Sequence, residues 1–212
     1  VDSIKRIRLS SIDPMAFTDC FIKILSENEK VCHHFHISLQ SGSEEVLRKM
    51  NRRYTPEFYM EVLRKLRTAM PDVAITTDVI TGFPYETDEE FEKSLNFVKK
   101  AAFAGVHVFP YSERRGTPAA KFGGTVPKAV RSERAHKMSE NAEKMKNEFM
   151  KKFIGTDTTV LFEEKHNSGL YEGFTPNYIR VMAKGDEKVV GKILPVKLTG
   201  IKDDFMTADV LN

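Results

Sequence analysis

The 212-residue sequence predicts an α/β fold, a partial parallel (β/α) barrel, followed by a small all-β, OB-like barrel. Three features of the sequence predict it. Short β-type runs alternate with amphipathic helical runs up to residue 127, as parallel strands with crossover helices do. A single helical period then covers residues 128–152, and after Gly155 the pattern changes to short strands separated by turn signals.

In order, residues 4–9 read as a strand and 16–29 as a helix, with Phe17, Cys20, Phe21, Ile24 and Leu25 on one apolar stripe. Residues 35–39 read as the next strand. Ser43 caps a helix whose Glu44 and Glu45 suit the positive N-terminal end. Thr55 and Pro56 open another, with Phe58, Tyr59, Val62, Leu63 and Leu66 facing the core. Residues 73–80 form a strand, and Thr87 with Glu90 forms a capping box for a helix burying Phe91, Leu95 and Val98. A strand over 106–109 completes four, each followed by a polar or glycine-containing loop, where parallel α/β folds hold their ligands. Ala135, Met138, Ala142, Met145 and Phe149 mark the buried face of the long helix. Strands are expected beyond it at 158–163, 178–183, 189–190, 196–201 and 205–210. The units are thus 1–127, a connecting helix 128–152, and 153–212.

Composition narrows the function. Hydrophobic residues make up 41% of the chain, ordinary for a packed globular protein. No run approaches a membrane span, and the N-terminus lacks a basic region followed by an apolar one, so a cytoplasmic protein without membrane contact is expected. Cys20 and Cys32 are too few for a disulfide framework and fit no compact ligand motif. The net charge is +3, but residues 113–152 carry eleven Lys and Arg against five acids, whereas 155–212 carry seven against nine. The basic connector suits either a solvated helix face or a polyanion.

His34 and His36 fall on one face of their strand, a spacing that suits a metal. With no carboxylate or cysteine pattern nearby in sequence to complete it, no metal site is expected.

Four strings are more specific: Arg6-Ile7-Arg8-Leu9-Ser10-Ser11-Ile12-Asp13-Pro14; His36-Ile37-Ser38-Leu39-Gln40-Ser41-Gly42-Ser43; Thr76-Thr77-Asp78-Val79-Ile80-Thr81-Gly82-Phe83-Pro84; and His107-Val108-Phe109-Pro110-Tyr111-Ser112. They lead into Arg115-Gly116-Thr117-Pro118-Ala119-Ala120 and Phe153-Ile154-Gly155. In this order and spacing they resemble the strand-end motifs of the radical-SAM tRNA methylthiotransferase family. The first and fourth are most like the branch that acts on threonylcarbamoyladenosine beside the anticodon. The last unit resembles a TRAM domain, a small RNA-binding barrel. One departure is Tyr85, where the family has the second glycine of Gly-Phe-Pro-Gly-Glu-Thr.

The resemblance implies an enzyme that uses S-adenosylmethionine and two 4Fe-4S clusters to add a 2-methylthio group to hypermodified adenosine in tRNA. The cluster cysteines are missing here, so the chain reads as a C-terminal fragment, inactive and without bound cofactor by itself. It also implies S-adenosylmethionine contacts from Gln40, Ser41, Arg52, Asp78, Ile80, Gly82 and Tyr111. Gly42 would allow a close backbone approach. Arg114, Arg115, Lys121, Arg131 and Arg134 of the connector and Tyr171, Phe174 and Tyr178 of the small barrel are candidate RNA contacts, the last three as stacking platforms. No catalytic residue is expected on this chain. The alternatives are an RNA-binding module without catalysis and a methylthiotransferase of a ribosomal-protein aspartate. An unrelated barrel hydrolase or aldolase lacks a nucleophile with a base. The strand at 4–9 would be an open edge, covered by self-association or by the chain's own N-terminal residues.

Overall fold

A computed structural model describes residues 3–211. Its first unit is a three-stranded parallel sheet in the order β1 (His34–His36), β2 (Ala74–Thr81), β3 (Gly105–Pro110). Crossover helices cover one face: α1 (Asp19–Glu27) precedes β1, α2 (Glu44–Lys49) and α3 (Pro56–Ala69) join β1 to β2, and α4 (Asp88–Ala101) joins β2 to β3. The side chains of Thr18, Ser43, Thr55 and Thr87 each accept a backbone N–H from three residues on, which fixes where these helices begin. The expected capping box is half made. Thr87 caps Glu90 N–H, while the Glu90 carboxylate turns to Ser43 Oγ and Lys93.

Period-two alternation decides the two faces of the sheet. Phe35, Ile37 and Leu39 and then Ile75, Thr77 and Val79 are fully buried under the helices, whereas His36, Gln40, Thr76, Asp78 and Ile80 remain half-buried on the opposite, concave face. From the helical side Tyr59 Oη donates to Ile37 O at 2.7 Å and Thr77 Oγ1 donates to the same oxygen at 2.6 Å. Tyr54 Oη reaches Ser38 O and Leu39 O. These bonds hold the chain beyond β1 in line with β2, so that Gln40 still pairs with Val79. Of the expected face of α3, Phe58 alone is exposed.

Residues 4–9 are not a strand. They touch the outer edge of β1 through isolated parallel bridges, Ile7 with Val31 and Ile12 with Ile37. Between the two bridges the chain takes five steps on one side and six on the other, and that mismatch in register prevents a continuous ladder. The segment is held instead by the second unit. Arg6 donates to Phe174 O at 2.8 Å and to Thr159 O at 3.0 Å.

Helix α5 (Lys128–Lys151) lies against β3 and α4 and enters both hydrophobic clusters, contributing Met138 to the first and Met150 to the second. It is clamped to the loop after β2 by a buried ion pair. Arg134 Nη1 stands 2.7 Å from Glu86 Oε1, and Arg134 Nη2 stands 2.6 Å from Asp88 Oδ1.

The second unit is a closed barrel, β4 (Asp157–Lys165), β5 (Tyr171–Phe174), β6 (Arg180–Ala183), β8 (Phe205–Val210), β7 (Ile193–Lys202), with β7 closing on β4. Two expectations change here. Residues 189–190 are not a strand, because Asp186 caps a 3₁₀ turn at Glu187–Val189. Tyr171–Phe174 is a strand the sequence pattern did not suggest. A Cβ at Gly173 would lie 2.3 Å from Leu161 O, so only glycine permits that pairing with β4. Arg180 joins β5 to the β7–β8 turn through Glu172 at 2.7 Å and Asp204 at 2.9 Å.

Two stability predictions follow from these pairs. Arg134→Met strands the Glu86 carboxylate in the interior and should cost about 3–5 kcal/mol in chemical denaturation, more than Glu86→Gln, which keeps an acceptor for Gly82 N–H. The Arg180 hydrogen bond holds the Glu172 carboxyl below its ordinary value. Its contribution is therefore full above the unfolded carboxyl pKa of about 4.3 and is lost as pH falls through the lower folded value. Thermal melts from pH 7 to 3 should show wild type converging on Glu172→Gln at the acid end.

Candidate functional site

The C-terminal ends of the three strands meet on the concave face. Asp78 pairs with His107 and Ile80 with Phe109 across β2 and β3, while Gln40 N–H donates to Asp78 O and Ile80 N–H to Gln40 O. Gln40, Ile80 and Phe109 thus form the upper row and Asp78 with His107 the row beneath. Phe109 is 52% exposed, an apolar ring open to this face rather than a core side chain. Gln40 adopts φ +68, which turns the chain sharply after β1.

The expected cofactor residues divide. Gln40, Ile80 and Tyr111 come together at the strand ends. The Tyr111 ring stands edge-on to Phe83 at 5.2 Å, and its hydroxyl is buried with no hydrogen-bond partner. Arg52 is exposed and makes no ion pair among the described residues, so its guanidinium fork is not consumed by the fold.

Ser41, by contrast, is fully buried, and its Oγ accepts from Ser43 N–H at 3.2 Å within its own loop. Gly42 permits a close approach, but to helix α4: its N–H donates to Ser94 Oγ, and a Cβ there would be 2.5 Å from Phe97 Cβ. Gly82, at φ +71, is similarly occupied, since a Cβ would meet Arg131 Cγ at 2.2 Å. Tyr85 adopts φ +64, a conformation suited to the glycine expected there, and its N–H donates to Gly124 O at 2.8 Å.

The basic connector divides likewise. Arg114, Arg115 and Lys121 are exposed and make no ion pair among the described residues. Arg134 is buried against Glu86 and Asp88, and Arg131 donates to Tyr111 O, so neither guanidinium is presented to a partner as the charge count suggested. The aromatic platforms need correction too. Tyr171 is 3% exposed and belongs to the barrel core. Tyr178 stacks on Phe174 at 4.6 Å and 13°, and Arg8 lies 3.8 Å from the Tyr178 ring centroid. His34 meets the same ring at 4.7 Å, and Asn177 Nδ2 donates to Asp72 O at 3.1 Å. Tyr178 thus docks the two units while remaining 38% exposed.

His34 is held neutral in that contact. Burial, helped by the charge of Arg8 and by His36, pushes its imidazole down to about 4. It does not join His36 in a shared site, but His36 has other company. His36 Nε2 stands 3.3 Å from Asp78 Oδ2, and His107 brings its ring to 5.9 Å from that of His36. The carboxylate that seemed to be missing is therefore supplied by β2. His107 was overlooked because its relation to His36 runs across two strand pairings, although its spacing of two from Phe109 marks it as facing the same way.

A family model described as the radical SAM superfamily matches residues 1–98. The threonylcarbamoyladenosine tRNA methylthiotransferase of Bacillus subtilis is 41% identical over 202 residues, covering 93% of this chain and 45% of the relative. The tRNA-2-methylthio-N(6)-dimethylallyladenosine synthase of Oceanobacillus iheyensis is 39% identical over 201 residues, covering 94% of this chain and 39% of the relative. Residues 1–98 match the radical SAM model, and over nearly its whole length the chain is similar to tRNA methylthiotransferases. The chain spans less than half the length of these two relatives. Among solved structures, coproporphyrinogen III oxidase from Escherichia coli, a radical SAM enzyme, superposes with a TM-score of 0.50 at 20% identity. The match covers 71% of this chain and 34% of that one, a likeness of fold alone.

The Tyr178 stack can be tested directly. Tyr178→Ala should accelerate hydrogen exchange at residues 6–9 and 174–179, while Tyr178→Phe, which keeps the ring, should not. Unchanged exchange in the alanine variant would show that the stack does not hold the docking.

Proposed function

We propose that this chain is the part of a tRNA methylthiotransferase that walls the S-adenosylmethionine site and contacts tRNA, in an enzyme adding a 2-methylthio group to threonylcarbamoyladenosine beside the anticodon. The observation that carries this reading is the ordered set of strand-end motifs, together with 41% identity to a relative bearing that activity in its name. The dimethylallyladenosine synthases, at 39%, supply the alternative substrate. When bound and reduced by one electron from a 4Fe-4S cluster, S-adenosylmethionine would supply a radical able to abstract hydrogen from the substrate's adenine ring. Gln40, Ile80, Phe109 and Tyr111 are the residues suited to hold it, with apolar surface for adenine and polar groups for the ribose or amino-acid portion, and Arg52 has a free fork for a carboxylate. Asp78 lies one row below, toward His36.

The 4Fe-4S clusters do not fit the residues present. Such clusters take several thiolates, whereas Cys20 is exposed on α1 and Cys32 is buried ahead of β1. On this reading the chain alone cleaves no S-adenosylmethionine, and the clusters bind to other parts of the enzyme. The five-stranded barrel supports assignment as a TRAM-type RNA-binding domain. Arg114, Arg115 and Lys121 serve as phosphate contacts, and the enzyme works in the cytoplasm. Among the described residues no helix is long and apolar enough to cross a membrane.

Fluorescence anisotropy with an anticodon stem-loop tests the RNA part. Affinity should fall steeply with salt, and Arg114→Ala with Arg115→Ala and Lys121→Ala should flatten the log–log slope by roughly 0.7 to 0.9 per lost contact. An unchanged slope would remove these residues from the interface. Nucleoside mass spectrometry of tRNA from cells lacking the complete enzyme decides the substrate. Loss of the 2-methylthio group from threonylcarbamoyladenosine supports the proposal, and loss from dimethylallyladenosine overturns it.

A further inference from the structure

The concave face holds a cluster that the proposed function does not use. His36, Asp78 and His107 come from three adjacent parallel strands, and one ligand atom from each lies within 4.8 Å of the others. We propose that these three side chains form a binding site for a divalent transition-metal ion of the two-histidine, one-carboxylate type.

The spacing is that of ligands. Two atoms about 2.1 Å from one ion at a tetrahedral angle stand about 3.4 Å apart, and His36 Nε2 and Asp78 Oδ2 are separated by 3.3 Å. The His36 ring is also oriented as metal-binding imidazoles are, with its other nitrogen occupied. His36 Nδ1 lies 3.1 Å from Thr76 Oγ1. With the proton on Nδ1 donated to that hydroxyl, Nε2 presents its lone pair beside Asp78. The two lone pairs of Thr76 Oγ1 can accept from His36 and from His34 Nε2, also at 3.1 Å.

Asp78 makes no ion pair with Lys or Arg among the described residues, which leaves its carboxylate open to a cation. An ion pair confined to His36 and Asp78 would leave His107 without a role, whereas a shared ion uses all three. The donor set selects the ion. Imidazole with carboxylate suits Zn²⁺, Co²⁺, Ni²⁺ or Fe²⁺ and disfavours Mg²⁺ and Ca²⁺, which take oxygen ligands. Three protein ligands leave positions open, and the His36 and His107 side chains line a cleft of about 610 Å³ between the sheet, α5 and the second barrel. Glu143 of α5 lines the same cleft.

The test uses the whole chain, stripped with chelator and titrated with CoCl₂ and then ZnCl₂. Visible Co²⁺ absorption should saturate at one ion per chain, and Zn²⁺ should displace it. Asp78→Asn and His107→Ala should each weaken binding at least 10-fold, and Thr76→Val roughly 10-fold through the loss of ring orientation. Circular dichroism of each variant separates loss of ligand from loss of fold. Absence of saturable binding at millimolar metal to the folded wild type overturns the proposal. So does binding that persists unchanged in folded Asp78→Asn and His107→Ala, which would place the ion at another histidine.

Discussion

The buried pair between Arg134 and Glu86 sets the geometry of the strand ends. Glu86 is almost wholly enclosed, and burial raises its pKa against the opposing influence of Gly82 N–H and Arg134. A carboxylate in that position is tolerable only while the guanidinium and the amide are in place. Satisfying it draws the turn after β2 onto α5, which brings Arg131 over Gly82 and onto the Tyr111 carbonyl. The loops after β2 and β3 are thus both fixed by one helix.

The two sides of the parallel sheet do different work because its side chains alternate. The helical side is apolar and closed, with Tyr59 and Thr77 spending their hydroxyls on the backbone beyond β1. The concave side carries imidazole, carboxylate, hydroxyl and amide groups over a rigid backbone. Polar groups left half-buried at one level of a sheet cost stability that the closed side must offset. Their concentration there is the feature on which the proposed ligand sites rest.

Much of this was legible because local chemistry determines it. Ser43, Thr55 and Thr87 announced their helices, and three of the four strand-end strings fell at the ends of β1, β2 and β3. What escaped the sequence was set by partners remote in the chain. Arg131 and Arg134 read as a basic surface, but the Arg131 guanidinium donates to Tyr111 O, 20 residues away, and that of Arg134 to Glu86 and Asp88, 48 and 46 residues away. Tyr178 is exposed as its sequence suggests, but nothing local reveals that Arg8 also lies over its ring. The segment at 4–9 has strand composition, yet its register against β1 slips by a residue. Gly173 hid a strand because the pairing it permits depends on the backbone of Leu161.

Helix α5 passes from one hydrophobic cluster into the other without a break, and a 24-residue helix is about 36 Å long. The two units are therefore separated by a strut rather than a tether. Anything gripped by the small barrel is offered to the concave sheet at a set distance and azimuth. One residue added within the strut would turn the small barrel by about 100° about the helix axis and tear Arg8 from Tyr178. The length of this helix is thus a ruler, and its phase is as constrained as any side chain in the cleft.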